Sequence, residues 1–194
     1  MMGTVGYMDN VELWKIGKRG DRKFEYNNTW KIEEFPDFKR VIVAPKENHV
    51  NVMLDLAKMF QEPYGILYDL KVPRVSTHEA GRYQSPEVVD YKEIETYCLQ
   101  FENYFETDAR HDIWIAGVGE TERKEMIVYD QHNIIYVYGD IEQVCKLLSS
   151  RGFTEGEVNI PVPHVHLYHD SNDQHERDML NYFSWIHFPM KEEI

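Results

Sequence analysis

The spacing of apolar residues along this chain switches repeatedly between two residues and three or four, and that alternation restricts the fold more than anything else in the sequence. Ile94, Tyr97, Cys98, Phe101, Tyr104 and Phe105 recur at helical steps and form one unbroken apolar stripe. Asp90 and Glu93 ahead of them have capping-box spacing, with Asp where Ser or Thr is usual. A shorter stripe, Val52, Met53, Leu56, Met59 and Phe60, predicts a helix capped by Asn48 and ended by Pro63. Ile141, Val144, Leu147 and Leu148 predict a third helix between Asp140 and Gly152. A last helix is expected from about Asp173 to Ile186, with Met179, Leu180, Phe183 and Ile186 inward.

Strand patterns fill the intervals. Val11–Ile16 alternates, 17–21 supplies a turn, and Lys23–Ile32 carries Phe24, Tyr26, Trp30 and Ile32 at even spacing, which reads as a hairpin. Arg40–Ala44, Tyr64–Val72 and Ile113–Ala116 are further strands. Met126–Tyr129 and Ile134–Tyr138 flank Asp130-Gln131-His132-Asn133, a hairpin turn, and their apolar faces place them centrally in a sheet. Val158–Pro163 contains two prolines that cannot donate to a ladder, so it belongs at an edge or leaves the sheet. From Tyr64 the order resembles a ferredoxin-like βαββαβ core with an extra strand. The expectation is one α+β domain over 1–194 with a mostly antiparallel sheet and a carboxyl-terminal helix. Residues 1–45 form a strand-rich amino-terminal extension packed on a 46–194 core.

Composition sets the outer limits. With 194 residues, 42% of them hydrophobic and 13% aromatic, the chain can build a sizeable core without disulfides or a structural metal. Cys98 and Cys145 sit in helical apolar patterns and read as reduced thiols, which points to a reducing compartment. Met1–Tyr7 lacks the basic and apolar runs of a signal peptide. No window approaches the ~18 apolar residues of a membrane span. The expected location is cytoplasmic, with no membrane partner. A net charge of −13 opposes nucleic-acid binding and suits a basic protein partner. The acidic residues are scattered, however, as on a solvated surface.

Chemistry concentrates in Pro161-Val162-Pro163-His164-Val165-His166-Leu167-Tyr168-His169-Asp170. Residues two apart on a strand share a face, so His164 and His166 project together. His169 and Asp170 join them only if the chain turns there. His164, His166, His169 and Asp170 are therefore the candidate ligands for a divalent metal such as zinc, whose catalytic sites use three protein ligands and an open position. The spacing is superficially similar to the His-x-His-x-Asp-His motif of metallo-β-lactamase-type hydrolases. Tyr168 stands where that Asp belongs, and the layered fold that should follow is missing, so the family is excluded. His175 and His187 are weaker candidates.

A long irregular stretch, 73–89, gathers Arg74, His78, Arg82 and Tyr83 just after Lys71. Cations and a phenol of this kind suit a small anionic ligand, although surface carboxylates would also satisfy them. No phosphate-binding glycine loop or nucleophile elbow is present. Two readings stand. One is a non-catalytic binding or regulatory protein with an acidic surface, which the absence of a finished catalytic set favours narrowly. The other is a small divalent-metal-dependent hydrolase using His164, His166 and His169 on an anionic substrate.

Overall fold

The computed structural model describes residues 14–18, 23–75, 77–119 and 124–190. Parts of the expected first strand (11–13), the turn after it (19–21) and the connection near 120–123 lie outside them. The described chain runs β1 (Ile16–Lys18), β2 (Thr29–Glu34), β3 (Lys39–Ala44), α1 (His49–Ala57), β4 (Tyr64–Leu70), β5 (Gly81–Gln84), α2 (Tyr91–Gln100) and α3 (Glu102–Thr107). It continues through β6 (His111–Gly117), β7 (Glu125–Tyr129), β8 (Ile135–Tyr138), α4 (Ile141–Ser150), β9 (Thr154–Glu155), β10 (His164–His166), a short 3-10 turn (Asp170–Asn172), α5 (Asp173–Leu180) and β11 (Ile186–Pro189).

Nine strands form one sheet in the order β11-β5-β4-β6-β7-β8-β3-β2-β9. Its pairs are antiparallel except β2 with β9. The molecule is thus a mixed helix-and-strand protein with a large, mostly antiparallel sheet and five α-helices among the described residues. No described helix is long and apolar enough to cross a membrane.

Alternate residues of the central strands bury one face under the helices. Val41, Val43, Ile66, Tyr68, Ile113, Ile115, Ile127, Tyr129, Ile135 and Val137 meet Val50, Met53, Leu56, Ile94, Tyr97, Val144 and Leu148 in a single core cluster. Local capping agrees with the sequence at α2 and α4, where Asp90 and Asp140 accept from the backbone N–H of Glu93 and Gln143. At α1 it does not. Asn48 has φ 57° and makes no side-chain cap. Glu106 instead reaches across from α3 to accept the Val50 N–H at 2.8 Å.

Several expectations change. The strand order departs from a βαββαβ core starting at Tyr64: β4 pairs directly with β6, and β9 sits at the far edge beside β2. Within the stretch expected to be irregular, β5 pairs with β4, and β11 closes that edge. The last helix stops at Leu180 rather than near Ile186. The first hairpin is different too: β2 pairs with β3, while β1 leaves the sheet altogether. Asn28 takes a left-handed φ of 52° just before β2, which separates Phe24 and Tyr26 from the strand.

The opposite face of the sheet carries a smaller core of Ile16, Tyr26, Ile42, Ala44 and Ile134, with Tyr136, Val158 and Ile160 against it. After β9 the chain crosses this face. Its prolines offer no amide to a ladder, and it ends in β10, which pairs antiparallel with β1 as a separate two-stranded ribbon. The ribbon brings the histidine segment to the β7–β8 turn.

Candidate metal centre

The β7–β8 turn is organised by one carboxylate. Asp130 Oδ1 accepts the backbone N–H of His132 at 2.8 Å and of Ile134 at 3.0 Å. Its Oδ2 accepts from His132 Nδ1 at 2.8 Å. Asn133 supplies the left-handed residue the turn needs, with φ 61°, and its Oδ1 accepts the Tyr129 hydroxyl at 2.6 Å. The N–H of Gln131 donates to Asp112 Oδ1 at 2.9 Å, tying the turn to β6. Asp130 therefore holds His132 by both its backbone and its ring, in a turn that Asn133 and Asp112 brace.

On the ribbon, the register pairs Ile16 with His166 and Lys18 with His164. Ile16 points into the smaller core, so His166 and His164 face the sheet as well. Val165 takes the other face and is 46% exposed.

The two elements close a triangle of three imidazoles. Ring centroids are 5.2 Å apart for His132–His164, 4.9 Å for His132–His166 and 5.1 Å for His164–His166. One ring nitrogen from each lies within 4.8 Å of the other two, and all three side chains are half-buried. Tetrahedral ligands on zinc are about 3.3 Å apart, so small ring rotations close the set.

Hydrogen bonding fixes which nitrogens are available. A carboxylate only accepts, so His132 Nδ1 donates there and Nε2 is the nitrogen left to face a ligand. The carbonyl of Pro161 does the same for His164 Nδ1, at 2.9 Å. His166 Nε2 is buried and has no hydrogen-bond partner. Burial, with smaller contributions from His132, His164 and Lys71, pushes the His166 pKa down to about 4, against the pull of Asp130. His166 is a neutral base near pH 7.

His169 and Asp170 stand outside the triangle. The backbone N–H of His169 donates to Asp108 at 3.0 Å, and its Nε2 meets the Trp14 carbonyl at 3.0 Å. Asp170 is an ion-pair partner of Arg74. The third imidazole is His132, which the sequence shows only as a turn residue two positions after an aspartate.

The cations of 73–89 meet carboxylates of this same chain. Arg74 Nε reaches Asp173 at 3.1 Å, and His78 Nδ1 meets Glu176 at 3.1 Å. Arg82 lies 4.0 Å from Asp69, and the Tyr83 hydroxyl donates to the Glu79 carbonyl at 2.7 Å. His187 stacks on Tyr83 at 4.5 Å, and His175 Nδ1 is 3.3 Å from Asn172. At the centre of this region Arg110, fully buried, spends all its donors on Asp108, Asp173, Glu176 and the His169 carbonyl. Cys98 and Cys145 are free thiols.

Comparison with protein-family models, with curated proteins and with solved structures finds no match for this chain.

Proposed function

We propose that this protein binds a divalent transition metal through His132, His164 and His166, and that the site is of the open, hydrolytic kind. The observation that carries the proposal is the triangle itself: three imidazole nitrogens within 4.8 Å, drawn from two separate elements. Three neutral nitrogens leave a fourth tetrahedral position free, the arrangement that catalytic zinc sites use and closed structural sites do not. A bound ion of this type supplies Lewis acidity and lowers the pKa of a water in that position.

The chain's own groups prepare the ligands. Asp130 and the Pro161 carbonyl orient His132 and His164 and fix their tautomers, as the groups behind metal-bound histidines commonly do. Burial keeps His166 unprotonated, so no proton must leave it before a metal enters. An all-nitrogen set suits Zn, Ni, Cu or Fe better than Mg or Ca.

Elemental analysis of protein purified without chelator or affinity-tag metal, followed by equilibrium dialysis against Zn²⁺, tests this. One equivalent is expected per chain, lost in His132→Ala and His166→Ala and kept in His169→Ala. A wild-type protein that arrives metal-free and takes up no added Zn²⁺ sinks the reading.

A further inference from the structure

We propose that the fourth position of this metal site takes an oxyanion of phosphate type, with Lys71 and Lys18 as its charge partners. The inference rests on the metal-binding reading above and adds the substrate class.

Both lysines are placed by elements already tied to the site. Lys18 is the cross-strand neighbour of His164. Directly paired residues of antiparallel strands project from the same face with Cβ atoms about 5 Å apart. It is exposed, and among the described residues it makes no ion pair. Lys71 follows the last residue of β4 and holds Asp112 Oδ2 at 2.6 Å. The other oxygen of Asp112 accepts the N–H of Gln131, the residue before His132. Lys71 is thereby anchored to the carboxylate that braces the metal-binding turn. Its side chain keeps 29% exposure, enough to turn toward a ligand.

The local charge then selects the ligand. Three neutral imidazoles leave the metal's double positive charge intact. Asp112 is matched by Lys71, and Asp130 attracts the buried ammonium of Lys15. The metal's double positive charge and the charge of Lys18 then remain, in a protein whose overall charge is −13. A dianion with several oxygens offsets most of this excess, placing one oxygen on the metal and the others on ammonium groups. A monoanionic carboxylate offsets much less.

Cobalt makes the test direct, because the visible absorption of protein-bound Co²⁺ reports its coordination. The full chain, loaded with one equivalent of Co²⁺, is titrated with inorganic phosphate and separately with acetate. Phosphate is expected to change the spectrum saturably, and acetate to bind at least about tenfold more weakly. Lys71→Gln is expected to weaken phosphate by about tenfold and Lys18→Gln by less, each with Co²⁺ stoichiometry unchanged. Asp112→Asn frees Lys71, so phosphate affinity there is expected to hold or rise. Equal losses in Lys71→Gln and Asp112→Asn would mean that turn distortion, not the ammonium, is being read, and would overturn the assignment. So would a Co²⁺ spectrum indifferent to phosphate, or acetate binding as tightly. Failure to load Co²⁺ at all is a separate outcome, which removes the metal reading and this inference with it.

Discussion

Two polar clusters lie close in sequence and are built on opposite principles. Around Arg110, every donor of a buried guanidinium meets an acceptor, and the carboxylates it meets also take Arg74 and His78. Around His132, His164 and His166, hydrogen bonds run to Asp130 and the Pro161 carbonyl, while one nitrogen of each ring lies within 4.8 Å of the other two. The first cluster is complete in itself and holds the 73–89 stretch and α5 to the start of β6. The second has spent its hydrogen bonds on holding lone pairs in place. Density of charged or imidazole side chains therefore says little about function, and the direction of their unused valence says much more.

The sharpest way to break this contrast is Glu176→Ala. It strips Arg110, His78 and two backbone amides of a buried acceptor. Breaking one side of a buried pair costs about 3–5 kcal/mol, which urea denaturation would register. A loss below about 1 kcal/mol would deny the cluster its structural role. Next in size, His132→Ala is expected to reduce Zn²⁺ affinity by about 100-fold or more. Its metal-free stability should change by only about 1 kcal/mol, since the side chain is half-buried. A metal-free loss matching that of Glu176→Ala would erase the distinction between the clusters. Asp130→Asn keeps an acceptor but removes the charge, and should cost about 10-fold in Zn²⁺ affinity by competition with a chromophoric chelator.

The smallest effect concerns Lys15, which touches both regions. Its carbonyl accepts the N–H of Leu167 beside the ribbon, and its ammonium donates to the Phe105 carbonyl at 2.9 Å. Burial lowers its pKa to about 8, against the pull of Asp130, Asp112, Asp108 and Glu106. Above pH 8 the folded chain releases a proton that the unfolded chain keeps until about 10.4. The unfolded state then binds more protons, so this group's contribution to stability rises with pH. Between pH 8 and 9 the rise is at most about 1.4 kcal/mol, and Lys15→Met should flatten it in paired urea titrations. An unchanged slope would show that the ammonium is not strained by burial.

How much of this was legible in the sequence follows from range. The periodic stripes of α2 and α4 and their Asp90 and Asp140 caps are local, and the structure repeats them. The central place of β7 and β8 followed from strands with two apolar faces. The short β5 has the pattern Gly-Arg-Tyr-Gln, with no alternation to read, and exists because β4 and β11 pair with its backbone. The facing of His164 and His166 needed only the two-residue period of a strand. His132 was out of reach for a different reason. Its sequence distance from the ribbon is closed by the packing of Val158 and Ile160 on the sheet and by β1, whose pairing with β10 carries no signature in either segment. His169, nearer in sequence and equally suited as a ligand, is drawn away by Asp108 and the Trp14 carbonyl.

The ribbon has a consequence for the survival of the protein. Among the described residues β1 pairs with β10 alone, and β10 carries two of the three imidazoles. On the proposed reading, an ion shared between the ribbon and the β7–β8 turn would act as a clasp on a part of the chain that joins no ladder of the main sheet and is held to it by side-chain packing. At a free metal concentration a thousandfold above the dissociation constant, that clasp opposes opening by about 4 kcal/mol. Proteases that attack opened chains would then find a short-lived protein where metal is scarce and a durable one where it is plentiful.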